Sequence, residues 1–145
     1  MRAKKFSQNL FDRNDEAARQ TVEYLKDFFG IDEFKDTENR YTIDRAGWRN
    51  GIHVMNVEVE IKQNWKEGHR PFPYLDINLP TRKCKYFGLE QPTYFVIFSA
   101  DCKGAVVFSD RMAEKAPREE VPNKLVSHGE YFFKIPIENA AILTF

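Results

Sequence analysis

The stretch Val57-Glu58-Val59-Glu60-Ile61-Lys62 alternates apolar and charged side chains, the period of a β-strand with one buried face. On such a strand Val57, Val59 and Ile61 point one way and Glu58, Glu60 and Lys62 the other, so two carboxylates and an ammonium share a surface. Asp44, at the end of an expected preceding strand from Tyr41 to Asp44, adds a third carboxylate if the two strands are neighbours. Carboxylate oxygens are what a hard divalent cation takes as ligands, and Mg²⁺, or Mn²⁺ in its place, keeps several of its waters when held this way. A metal-bound water gives up its proton more easily, and a lysine beside it can orient the hydroxide. This is the equipment of metal-assisted phosphodiester hydrolysis, with Asp44, Glu58, Glu60 and Lys62 as the candidate residues. Lys62 is read as an orienting and electrostatic group rather than as the general base.

The turn between the strands decides which residues meet. A two-residue Asn50-Gly51 turn sets Asp44 opposite Val57 and Ile43 opposite Glu58, which mixes the two faces of the sheet. An odd-length loop or a bulge avoids that conflict. Pairing centred on Gly51 puts Asp44 across from Glu58 and diagonal to Glu60, at the ~7 Å of diagonal neighbours, close enough for both side chains to reach one ion.

Around this pair the chain predicts a helix and a series of strands. Ala18, Val22, Leu25 and Phe29 recur at helical spacing from about Asn14 to Phe29, with Asn14 as N-cap, Asp15 and Glu16 in the first turn and Gly30 just beyond the end. The other side of that helix, Glu16, Gln20, Glu23 and Asp27, reads as solvated surface. Residues Gly47 to Gly51 read as a turn and His53 to Lys62 as a long strand. Further strands are expected at Tyr74–Leu79, Thr93–Ser99, Ala105–Ser109, Tyr131–Ile135 and Ala141–Phe145, with a short helix over Asp110–Lys115 and a basic connector from Pro80 to Phe87. One helix followed by a run of strands predicts an α+β domain spanning residues 1–145, its N-terminal helix packed on a central mixed β-sheet.

At 145 residues with 14% aromatic side chains, the chain has enough apolar material for one core. Cys84 and Cys102 are its two cysteines, without CxxC or CxxH spacing, which predicts two buried thiols in a reducing compartment and neither a zinc site nor a disulfide framework. His53, His69 and His128 lack metal-ligand spacing, and no Gly-rich phosphate loop or GxSxG occurs. The longest apolar run, Tyr94 to Phe98, is too short to span a bilayer, and Met1 to Ser7 is not followed by a signal-peptide core; a soluble, cytoplasmic protein is the expectation. The formal net charge is +0, but its distribution is uneven. Eight acids lie between Asn14 and Glu38 against Arg19, Lys26 and Lys35, whereas six Lys or Arg lie between Lys62 and Lys85 against Glu67 and Asp76. The basic stretch begins at the proposed site.

A helix, a strand ending in Asp44 and a strand bearing Glu60-Ile61-Lys62, in that order, resemble the PD-(D/E)XK nuclease superfamily, which includes restriction endonucleases, Holliday-junction resolvases and many phage nucleases. The resemblance covers mainly residues 14 to 100 and implies a restriction-endonuclease-like core. By resemblance Asp44 and Glu60 bind Mg²⁺ and Lys62 positions or deprotonates the attacking water. An acid from the first helix often joins such sites, for which Glu16 stands first and Glu23 second, and Gln63 takes the place of a Gln that often follows the Lys. Two features depart from the pattern: Ile43 rather than Pro precedes Asp44, and residues 63 to 92 offer no crossover helix after the Lys-bearing strand.

Gln63, Lys66, Arg70, Arg82, Lys83 and Lys85 are the expected contacts to DNA phosphates, and Trp65, Tyr86 or Phe87 the expected stacking partners of an unpaired base. A solvated basic loop with core aromatics is the equal alternative. The reading is therefore a metal-dependent endonuclease acting on DNA, directed by DNA structure or by a partner and arranged as a homodimer with two sites. Against it stand a non-catalytic DNA-binding or protein-interaction subunit on the same fold, and an unrelated α+β protein whose charged strand only confers solubility.

Overall fold

The computed structural model describes residues 16–36, 45–121 and 130–145. Residues 16 to 29 are helical, with a tighter 3₁₀ turn at Val22–Leu25 and a last α turn at Lys26–Phe29. Ala18, Val22 and Leu25 are buried, as their spacing requires, and Thr21 donates its hydroxyl to the Ala17 carbonyl at 2.7 Å. Gly30 ends the helix in the left-handed region, φ 66°, and the amides of Gly30 and Ile31 close back on Asp27 and Lys26, which satisfies carbonyls the helix leaves open. Arg49 then donates to the Gly30 carbonyl at 2.6 Å and to that of Phe29 at 3.4 Å, a cation at the negative end of the helix dipole. Asn14 and Asp15, the expected cap, lie outside the described residues.

Among the described residues nine strands follow: β1 (Glu33–Asp36), β2 (Arg45–Arg49), β3 (Ile52–Lys62), β4 (Asp76–Pro80), β5 (Thr93–Ser99), β6 (Gly104–Ser109), β7 (Arg118–Val121), β8 (Glu130–Pro136) and β9 (Ala141–Thr144). Six of them form one sheet in the order β1-β2-β3-β5-β6-β9, antiparallel except for the parallel β3/β5 pair. The sheet is therefore mixed, and the chain is α+β. The short helix Asp110–Lys115 forms where expected, capped by the Ser109 hydroxyl, which accepts from the Met112 amide at 3.2 Å.

Between β2 and β3 the expected bulge is present, but together with the two-residue turn that it was expected to replace. The turn is the two-residue Asn50-Gly51, with φ of 51° and 76°, the left-handed pair that a tight hairpin needs. The expected turn from Gly47 is thus too long: β2 continues through Trp48 to Arg49. A bulge at Val54 then shifts the register, so that Trp48 pairs with His53 but Gly47 with Met55, Ala46 with Asn56 and Arg45 with Val57. From Gly47 to Arg45 the ladder runs in the Gly51-centred register. Gly47 leaves room at this crossing for Met55 Sδ and Ile31 Cδ1, both of which a Cβ there would displace. The expected strand Tyr41 to Asp44 lies outside the described residues.

The sequence reading missed β1, β7 and a second sheet. Strands β4, β8 and β7 form an antiparallel sheet of their own, which covers the face of the main sheet opposite the helix. Two cores result. The helix packs Ala18, Val22 and Leu25 on Met55, Val57, Val59, Val96 and Phe98, while the second sheet packs Ile77, Leu79, Phe133 and Ile135 on Phe95, Ile97, Val106 and Phe108. The crossover from β3 to β5, residues 63–92, carries β4 and a 3₁₀ helix at Thr81–Tyr86 in place of an α-helix. It begins with a loop pinned to the β5–β6 turn. Ala100 donates to the Trp65 carbonyl at 2.7 Å and Gly68 to Asp101 Oδ1 at 2.9 Å, and Gly68 and Gly104 pass so closely that a Cβ on either would strike the other's backbone. Cys84 is exposed and Cys102 half-buried, so neither thiol is fully buried as expected. Among the described residues no helix is long and apolar enough to cross a membrane.

Candidate functional site

Parity along β3 holds as read: Met55, Val57 and Val59 face the helix, and Glu58, Glu60 and Lys62 face the other way. In the parallel ladder Glu58 lies beside Phe95, Glu60 beside Ile97 and Lys62 beside Ser99. Phe95 and Ile97 belong to the core under the second sheet, so the charged row is not a solvated outer face. It runs from that core outward to the edge of the second sheet, and each member has a different environment.

Glu58 is the deepest, 8% exposed. Its Oε2 lies 3.6 Å from Lys83 Nζ, and the Lys83 side chain is itself 27% exposed. Lys83 comes from the Thr81–Tyr86 helix, whose aromatic Tyr86 is buried in the core. Glu58, expected as a further metal ligand, and Lys83, expected as a phosphate contact, are thus interior counter-ions of each other. One turn of the pleat further, Glu60 opens onto a groove of about 540 Å³ lined also by Lys62, Phe72, Tyr74, Asp76 and Lys134. Packing around the Glu60 carboxyl raises its pKa above the ordinary 4.5, against the opposing charges of Lys62, Lys83 and Arg82. The residue reaches solvent through the groove, but loss of hydration at the carboxyl outweighs the three cations.

Of the other expected ligands, the helix acids are not gathered at the groove. Asp44 lies outside the described residues; the chain enters β2 at Arg45, whose partner is Val57. Glu16 is exposed on the helix, which covers the opposite face of the sheet from Glu60. Glu23 pairs with Lys26 at 2.8 Å and with Arg45 at 3.3 Å. Among the described residues no group of three or more His, Cys, Asp or Glu converges as a metal site.

Of the basic residues, Gln63 and Lys66 are exposed just beyond β3. Arg70 is exposed and bonded to Glu67 at 2.7 Å. Arg82 is exposed and bonded to Glu130 at 2.8 Å, and exposed Lys85 lies 5.1 Å from the centre of the Tyr86 ring. The three aromatics expected to stack on a base are structural instead. Trp65 is 2% exposed and donates its Nε1–H to the Arg70 carbonyl at 2.9 Å; Tyr86 is buried; Phe87 packs on Phe133 and Phe95.

Among the polar residues of the groove, Tyr74, Asp76, Asn78 and Lys134 were not singled out in the sequence. Tyr74 and Asp76 come from the crossover and Lys134 from β8, an element 72 residues beyond Lys62 in the chain. No local pattern sets them apart; only the second sheet and the segment leading into it bring them opposite β3. The chain matches no family model and no curated protein.

Proposed function

We propose that the chain is a metal-dependent nuclease that hydrolyses DNA phosphodiester bonds, built on a restriction-endonuclease-like core. The observation that carries this reading is the pair Glu60 and Lys62, two residues apart on one face of β3 and both lining a groove that solvent and a ligand can enter. A helix on the far face and a parallel neighbour strand, β5, support the same core.

The groove suits a divalent cation because Glu60 is a carboxylate whose ionised form is penalised by its surroundings, a penalty that a bound cation offsets. Glu60 would hold the ion, and Asp44 is the second carboxylate that the sequence supplies for it. When bound, Mg²⁺ or Mn²⁺ would acidify a water and neutralise charge on the phosphate. The residues of the chain do the rest. Lys62 holds the attacking water by a hydrogen bond and offsets developing negative charge. Lys134, across the groove, attracts the phosphate. Phe72, Ile77 and Ile97 give the site an apolar wall that strengthens these electrostatic contacts.

Nicking of supercoiled plasmid tests the reading. Native protein should nick with Mg²⁺ or Mn²⁺ and stop with EDTA, and Asp44→Asn, Glu60→Gln and Lys62→Ala should each lose at least about 100-fold in rate. Binding without cutting would favour a non-catalytic DNA-binding or interaction subunit on this fold. That second reading draws support from the scarcity of converging acids among the described residues. A homodimer, with two sites, would appear as a doubled mass in sedimentation.

A further inference from the structure

The groove has a rim that the chemistry of hydrolysis does not use. Phe72, Pro73, Tyr74 and Leu75 run along it before β4 begins, with Pro71 just ahead of them. Two prolines restrict the backbone here, Phe72 anchors the segment in the core at 8% exposure, and the Leu75 carbonyl accepts from the Ile137 amide at 2.9 Å. On this fixed segment Tyr74 is 45% exposed and Leu75 85%, two large apolar groups left open beside charged residues. The Tyr74 hydroxyl accepts from Asn64 Nδ2 at 3.0 Å. Lys62 Nζ stands 5.2 Å from the centre of the Tyr74 ring, and Phe72 meets the ring edge-on at 6.0 Å. An aromatic ring is thus held at both ends, in contact with the amine proposed to act on the phosphate.

We propose that Tyr74 is a stacking platform for an unpaired base next to the scissile phosphate, so that the substrate is single-stranded or branched DNA rather than uninterrupted duplex. The proposal rests on the nuclease reading of Glu60 and Lys62 and adds the substrate class. Duplex DNA keeps its base faces inside the stack and offers the rim only sugar and phosphate; a splayed nucleotide offers a π-face of any sequence. The groove also lies recessed between two sheets, which a single strand can enter. Inside the groove Lys62 and Lys134 stand beside Glu60 and Asp76, and Lys66 and the Glu67-bonded Arg70 are exposed on the loop that leads to the rim. Leu75, at the outer end, fills the place of a wedge against the adjoining base pair.

The test is fluorescence anisotropy in EDTA with three fluorescein-labelled DNAs of one sequence: a single strand, a blunt duplex, and a duplex with a single-stranded overhang. Native protein should bind the first and third more tightly than the second. Tyr74→Ala should weaken those two by roughly 5- to 150-fold and the blunt duplex by less than about twofold, and Tyr74→Phe should bind as the native protein does. A 2-aminopurine placed in the overhang should lose fluorescence on binding native protein, a readout that does not depend on any variant folding. Equal or tighter binding of blunt duplex, an unresponsive 2-aminopurine, or no binding at all overturns the proposal. Plasmid or oligonucleotide cutting that is unaffected by Tyr74→Ala would refute the platform and leave the nuclease reading intact. Tyr74-dependent binding without any cutting in Mg²⁺ or Mn²⁺ would refute the nuclease and leave the platform.

Discussion

Lys83 separates an interior ion pair from a surface phosphate contact, and replacing it decides between them. Glu58 sits at 9% side-chain exposure with its Oε2 3.6 Å from the Lys83 ammonium. Removing one partner of a fully buried pair costs about 3–5 kcal/mol, because the other charge stays behind without compensation. Lys83 is about one-quarter exposed and the separation is long for a hydrogen-bonded pair, so water shares the load and the expected cost of Lys83→Met falls to roughly 2 kcal/mol. For a chain of this length that is a drop of about 4–8 °C in Tm. Thermal and urea unfolding measure it, with Lys85→Met, an exposed neighbour, expected within about 0.5 kcal/mol of the native protein. Pairing Lys83→Met with Glu58→Gln in a double-mutant cycle should give a coupling of about 1 kcal/mol or more. Lys83 is also one of the charges that restrain the Glu60 carboxyl, so its loss should push that carboxyl further up. A Tm unchanged within 1–2 °C and a coupling under about 0.5 kcal/mol would refute the interior pair and return Lys83 to the surface.

Two more outcomes follow from the packing around the site. Burial raises the Glu60 carboxyl above 4.5, so the folded chain holds that proton more tightly than the unfolded chain. The stability this contributes is complete below about pH 4.5 and is lost as the pH rises through the folded-state value; Glu60→Gln should flatten the urea-unfolding profile across that window, and a profile identical to the native one refutes the cause. A Cβ at Gly68 would meet the backbone of Lys103 and Gly104, so Gly68→Ala should cost about 2–4 kcal/mol in thermal unfolding, and an unchanged Tm would refute the close crossing.

Most single elements were legible because local periodicity and turn chemistry specify them. The β3 alternation, the helical repeat of Ala18, Val22 and Leu25, the glycine end at Gly30 and the Asp110–Lys115 helix each depend on neighbours within a few residues. The β2–β3 register was legible for a stronger reason: the face pattern of Glu58 and Val57 was incompatible with a plain Asn50-Gly51 hairpin, and the bulge at Val54 resolves that conflict. By contrast, β1 (Glu-Phe-Lys-Asp) carries a single apolar residue and β7 (Arg-Glu-Glu-Val) another, so no apolar alternation emerges in either. Strand pairing across long separations leaves no local mark, so nothing in β4 or β8 alone indicated that they leave the main sheet for one of their own.

The same division explains the site. Alternation fixed which side chains of β3 share a face, and Glu58, Glu60 and Lys62 do. It carried no information on what covers that face. The second sheet lies over one end of the charged row, so exposure steps from buried Glu58 to exposed Glu60, with Lys62 half-buried beside it on the groove. The gradient divides the labour of identical side chains: the inner glutamate can only be tolerated with a lysine brought to it, while the outer one keeps an open side from which an ion or a phosphate can approach. The basic connector was read as one patch for the same reason. Its alternate residues part company once Thr81–Tyr86 coils into a 3₁₀ helix, Lys83 turning in to Glu58 and Arg82 and Lys85 turning out. A run of like charges next to a buried acid should therefore be counted only after one of its members has been assigned to that acid.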